Sequence, residues 1–119
     1  MAGYKIDRVS EDIRREVIAI IRELKDPRVM DRLITVVRVE VSSDASYAKI
    51  YISAMEGIDV AKNAVKGLDN ATGYIRREIG QRLHLRKTPE LKFIPDDSIA
   101  HGMHIAKMMD DLRVDEHDD

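Results

Sequence analysis

The chain has no cysteine and no tryptophan, three prolines and a single phenylalanine. Without thiols there is no disulfide framework, no thiolate zinc site and no cysteine nucleophile. Aromatic residues are 4% of the total, too few for a surface built mainly on base stacking. No apolar run approaches the roughly 18 residues of a membrane span. The N-terminus, MAGYKIDRVSEDIRRE, lacks the apolar segment of a signal peptide and is too acidic for a transit peptide. An intracellular, cytoplasmic protein without membrane contact is therefore expected. Phosphate-loop, nucleophile-elbow and zinc-protease motifs (G-x-x-x-x-G-K-S/T, G-x-S-x-G, H-E-x-x-H) are missing too, so catalysis is not expected.

What the chain has in abundance is charge, at 35% of 119 residues, beside an apolar fraction of 44% that suffices for one domain with a real core. The formal net charge of −2 conceals an asymmetry: residues 62–92 sum to +5 and residues 110–119 to −5, which leaves +3 for residues 1–109. A basic band of this kind suits a polyanion partner, although solvated lysines and arginines on a surface helix produce the same pattern.

Hydrophobic periodicity divides the chain. Ile6, Val9, Ile13, Val17, Ile20, Ile21 and Leu24 recur every three or four residues and predict one helix, stopped at KDPR where Pro27 disfavours helix for Asp26. In LITVVRVEV the period becomes two, placing Thr35, Val37, Val39 and Val41 inward with Arg38 and Glu40 outward; YAKIYISA repeats this with Ala48, Ile50, Ile52 and Ala54 inward. The polar SSDAS between them makes a hairpin with one wet face. Asp59 is placed to cap a helix whose inward stripe is Val60, Ala64, Leu68, Thr72, Ile75, Ile79 and Leu83. LKFIP gives a third strand with Leu91 and Phe93 inward. A last helix follows with Ile99, Met103, Ala106 and Met109 on one side, and the polar end is expected to be disordered.

The stretch GLDNATGYIRREIG, residues 67–80, breaks the long helical stripe with two glycines and an Asn. A glycine in a helix interior costs about 1 kcal/mol relative to alanine. A kink there frees N–H groups at the start of the second helix half, capped by Asn70 or Thr72, and such groups receive phosphate oxygens. Arg76 and Arg77 follow at once without a local partner, whereas Glu78 and Arg82 can pair at i,i+4.

The helix–strand–strand–helix–kink–helix–strand order resembles the bacterial type of KH domain, an α+β fold with a three-stranded sheet covered on one face by helices. The G-x-x-G loop of KH domains is missing, since Gly67 is followed three residues on by Asn70; Ala71-Thr72-Gly73, an A-x-G, stands at the joint. KDPRV, VSSDASYAKIYIS, ATGYIRREIGQRLHLRKTPELKFIPDDS and GMHIAKMM are together similar to the ribosome-binding factor A family, over roughly residues 4–110. The resemblance implies a KH-like RNA-binding domain in residues 1–97 and a C-terminal helix packed on or extending it at 98–112; the acidic end, Asp115 to Asp119, is not part of the match, and the tail at 113–119 is expected from its composition to be disordered. It implies a factor that binds the immature small ribosomal subunit and its rRNA and supports late maturation, including processing of the precursor end. It links such factors to growth in the cold and to assembly GTPases that promote their release, with no cofactor and a monomeric state. Carried across, Ala71 and Gly73 form the kink, Ile75 and Arg76 open the second half, and Arg86, Pro89, Leu91 and Phe93 mark the turn and last strand.

The expected RNA-binding residues are Asn70, Ala71, Gly73, Arg76, Arg77, Arg82, Arg86 and Lys87, with Lys62 and Lys66 on the preceding helix. Rival readings are a metal site at His101 and His104, which lacks a third strong ligand, and a non-catalytic protein-binding or dimerising module using Met103, Met108 and Met109.

Overall fold

Ile13, Val17 and Ile20, one helical face apart, are completely buried and seat the first helix, α1 (Ala2–Glu23), on a sheet. In this computed structural model, which describes residues 2–117, α1 is followed by β1 (Ile34–Val41), β2 (Tyr47–Ala54), α2 (Ile58–Asn70), α3 (Thr72–Leu83), β3 (Glu90–Pro95) and α4 (Ser98–His117). β2 is central, antiparallel to β1 and parallel to β3. A parallel pair needs a crossover, and α2 with α3 supplies it. The result is an α+β fold with a mixed three-stranded sheet. Its core joins Ile50 and Ile52 of β2 and Phe93 of β3 to Ile20, Leu68, Ile75 and Ile79 of the helices.

β1 departs from strict alternation. Val36 pairs with Ile52 but Arg38 pairs with Tyr51, so Val37 is an extra residue. This bulge shifts the phase. Val36 and Val39 are buried, whereas Thr35 and Val37, expected inward, are only half-buried. On the outer face the Tyr51 hydroxyl donates to Glu40 Oε2 at 3.0 Å, and the Arg38 guanidinium lies 3.8 Å from the ring centroid. One face of the Tyr51 ring is thereby already covered. Ser53, expected outward and wet, is fully buried.

Asp59 does not cap α2; Gly57, at φ +120°, holds the N-cap position, and Asp59 sits in the first turn, where its charge complements the helix dipole. The KDPRV turn packs under α2. Its Asp26 carboxylate accepts hydrogen bonds from the Arg28 backbone N–H (2.8 Å), Nε (3.0 Å) and Nη2 (2.7 Å). A Cβ on Gly67 would lie 3.1 Å from both Asp26 Cγ and Val29 Cγ2, so this buried glycine lets α2 approach the turn.

The side-chain hydrogen bonds from Arg28 hold the Asp26 carboxyl down at about 2, against 3.8 ordinarily. The unfolded chain therefore takes up this proton first. The stabilisation is complete above the unfolded pKa and is lost as pH falls from about 4 to about 2. We expect the urea midpoint to drop over that interval, and to drop less in Asp26→Asn; equal losses in the two proteins would refute the assignment.

α4 differs from expectation in two respects. Met103 and Met109, placed among core candidates, are 49% and 55% exposed, because α1, α2 and α3 already cover the apolar sheet face. The helix also continues beyond Leu112 to His117, since each added residue of a formed helix costs little; the last two residues of the expected acidic tail lie outside those described.

Candidate nucleic-acid interface

The joint between α2 and α3 falls on Ala71, at φ −97° and ψ 9°. Any L-residue reaches that conformation, so neither glycine is needed to make the bend. Asn70 and Thr72, expected to cap α3, make no cap hydrogen bond to it. The Thr72 hydroxyl instead donates backward to the carbonyls of Leu68 (3.2 Å) and Asp69 (2.8 Å), tying off the end of α2. The α3 ladder resumes where Ile75 N–H donates to Ala71 O at 2.9 Å. The N–H groups of Thr72, Gly73 and Tyr74 have no carbonyl within α3 to bond.

Gly73 lies in this first turn, exposed, and a Cβ built on it would meet nothing within 4 Å. Gly73 thus contrasts with Gly67. It is conformationally unnecessary and sterically unforced, yet it leaves bare backbone at a helix start. An open groove beside it is lined by Arg76, Arg77, Lys87 and Thr88, and a second one by Tyr47, Thr72, Arg76, Glu90, Leu91 and Lys92. The parallel β2–β3 register, which sets Tyr47 opposite Glu90 and Lys49 opposite Lys92, forms the far wall.

The cations divide into two groups. Arg76 is engaged: its Nε donates to Pro89 O at 3.0 Å and its Nη2 to Thr88 O at 2.8 Å. It clamps the turn before β3 and forms the wall shared by both grooves. Arg82 is engaged as well, 3.0 Å from Glu23, 3.2 Å from Glu78 and 3.6 Å from Glu16, joining α3 to α1. Among the described residues, Lys62, Lys66, Arg77, Arg86, Lys87 and Lys92 are exposed with no carboxylate within 4 Å. Lys62, Lys66, Asn70, Gly73 and Arg77 are all exposed and succeed one another at three- or four-residue steps, a single stripe running through the joint. Lys92 and Tyr47 were missed as site residues by sequence reasoning; the alternation of β3 marks Lys92 as outward, but only the strand register brings it beside α3.

A model of the ribosome-binding factor A family matches residues 5–109. The chain belongs to this family. Over 113 residues it is 47% identical to ribosome-binding factor A of Moorella thermoacetica, covering 94% of this chain and 93% of that one. The solution structure of a Thermotoga maritima protein described as a putative ribosome binding factor A superposes with a TM-score of 0.71 at 30% identity, over 80% of this chain and 90% of that chain. A homology model of the Thermus thermophilus factor, as fitted into a cryo-electron microscopy map of its 30S complex, gives 0.62 at 27% identity, over 75% of this chain and 92% of that chain. In this family member the A-x-G stands at the joint as Ala71 and Gly73, beside the exposed Arg77 and Lys87.

Among the described residues, no group of three or more His, Asp or Glu side chains is placed to hold a metal ion, and no helix is long and apolar enough to cross a membrane. His101 and His104 are exposed on α4.

Gly73→Ala separates fold from contact. With open space for the methyl group, it is expected to stabilise the isolated protein by about 0.5–1 kcal/mol, since glycine is the poorer helix former. It is expected to weaken whatever docks against the bare helix start. Urea denaturation and binding measured on one preparation check both parts; a variant more stable and equally competent in binding would remove Gly73 from the interface.

Proposed function

We propose that this protein binds the small ribosomal subunit through rRNA phosphates, as an assembly factor for the immature particle. The observation that carries the reading is the unpaired cationic surface around Gly73, in a chain whose Thermus relative has been fitted into a 30S complex. Arg77 and Lys87 approach the phosphates in the groove that Gly73, in the first turn of α3, also lines, and a helix start beside cations is suited to anions. Arg76 acts by fixing the turn that carries Thr88. Arg82 acts by joining two helices, its charge met by three carboxylates. With the Tyr51 ring covered by Arg38 and only Tyr47 and Tyr74 exposed among the described aromatic side chains, backbone and shape recognition dominate over base stacking.

The same reading extends to late maturation of small-subunit rRNA and processing of its precursor end, to release by an assembly GTPase, to action in the cold, and to a monomer working in the cytoplasm. It is tested by co-sedimentation with purified small subunits across a salt series. Binding through several phosphates makes log K fall linearly with log salt, with a slope of about −0.9 per phosphate on a duplex. Binding with no salt dependence would favour a protein-only contact. No binding at any salt would overturn the reading.

A further inference from the structure

The turn after α1 carries a second cationic surface that the kink does not explain. Arg28 and Arg32 from this turn and Lys62 and Lys66 from α2 line an open depression together with Asp59, four cations to one carboxylate. Arg32, Lys62 and Lys66 are exposed and, among the described residues, have no carboxylate within 4 Å; Arg28 shares its charge with Asp26. Gly67 is what brings the two elements together, since any Cβ there would press on Asp26 and Val29. The depression is too open to enclose a small apolar ligand.

This surface continues into the kink. Lys62 and Asn70 are eight residues apart on α2, about 12 Å along its axis at 1.5 Å per residue, and Gly73 and Arg77 follow on the same stripe. A cationic track runs from Arg32 along α2 to Lys87, and no exposed aromatic ring interrupts α2 itself. The aromatic side chains elsewhere offer no series of rings along this track: Phe93 is buried, Tyr51 lies under Arg38, and the exposed Tyr47 and Tyr74 both stand at its kink end. Splayed single strands need rings on which to stack bases. A-form duplex RNA presents phosphates and a shallow minor groove, and asks only for cations at two or more points along its backbone.

We infer that Arg32, Lys62 and Lys66 form a second phosphate-binding site, and that the RNA held between it and the kink is a double-helical segment lying along α2. The inference rests on the rRNA-binding reading given above and adds the second site and the duplex form of its ligand.

The test uses the full chain, a short RNA hairpin with a stem of about two turns, and a single strand of equal length, titrated by fluorescence anisotropy across a salt series. Binding to small subunits is measured in parallel. Arg32→Glu/Lys62→Glu changes two exposed side chains, and its thermal midpoint confirms that it is folded. The wild type is expected to prefer the stem over the single strand by about 5-fold or more. The variant is expected to lose about 10-fold or more on the stem, with the log–log salt slope shallower by about 2. If the folded variant binds the stem like the wild type, the second site is wrong. If the single strand binds as well as the stem, or if wild type binds subunits but not the stem, the duplex assignment is wrong while the ribosomal reading stands. Failure of the wild type to bind subunits would sink that underlying reading and the inference with it.

Discussion

Reversing Arg77 and Lys87 together, as Arg77→Glu/Lys87→Glu, is expected to reduce binding to the small subunit by at least about 10-fold at moderate salt and to flatten the salt dependence by about two phosphates. The side chains line the same groove beside Gly73, and neither is in an ion pair among the described residues. The Arg77 guanidinium lies 6.0 Å from the centroid of the Tyr74 ring; that is the outer limit of a cation–π contact and contributes little at an exposed site. The fold should therefore survive, with a thermal midpoint close to wild type. Arg76→Ala is the misleading control. It removes two hydrogen bonds to the carbonyls of Thr88 and Pro89, so lost binding would report a loosened turn as readily as a lost phosphate contact. Co-sedimentation and circular dichroism on the same preparations distinguish these cases, and a folded double-reversal variant that binds like wild type would exclude Arg77 and Lys87.

Ile75→Ala is expected to do the opposite. Ile75 is fully buried and its N–H makes the first backbone bond of the α3 ladder to Ala71, so its side chain anchors the start of α3. Truncating a buried isoleucine to alanine costs about 2–5 kcal/mol through lost transfer energy and the cavity left behind. For a domain of this size that is a fall in melting temperature on the order of 10 °C. No cationic side chain is touched, so at low temperature, where the variant remains folded, subunit binding should stay within about 3-fold of wild type. A melting temperature unchanged within a few degrees would show that the site collapses freely and that Ile75 does not anchor the kink. Retained stability with lost binding would place the side chain in the contact itself.

The sequence made α1, β2 and the buried stripe of α3 legible because each follows one period without interruption. β1 was not fully legible. Val is equally at home inside and outside a strand, so nothing in LITVVRVEV marks Val37 as the extra residue; the pairing with β2 does. The glycines show a similar limit. Gly67 and Gly73 look alike in the chain, yet Gly67 answers to Asp26 and Val29, some forty residues earlier, and Gly73 answers to no atom of the protein. The position of the joint could be read from ATG, but its cause could not, since Ala71 bends without help. Among the cations, Arg76 and Arg77 are adjacent and chemically identical. The acceptors that occupy Arg76 are backbone carbonyls, which leave no mark on a sequence, and Glu23, which holds Arg82, lies 59 residues away.

The bulge at Val37 has a bearing on how the molecule behaves in a crowded solution. A three-stranded sheet has two rims, and each offers a row of backbone donors and acceptors on which a neighbouring chain can nucleate a fibril. Here β1 forms one rim, interrupted at Val37 and flanked by the exposed charges of Arg38 and Glu40; the other is β3, six residues long, carrying exposed Glu90 and Lys92 and ending at Pro95. Neither rim offers a long, flat, uncharged template. The irregularity that spoils the alternation of β1 also helps the protein resist aggregation.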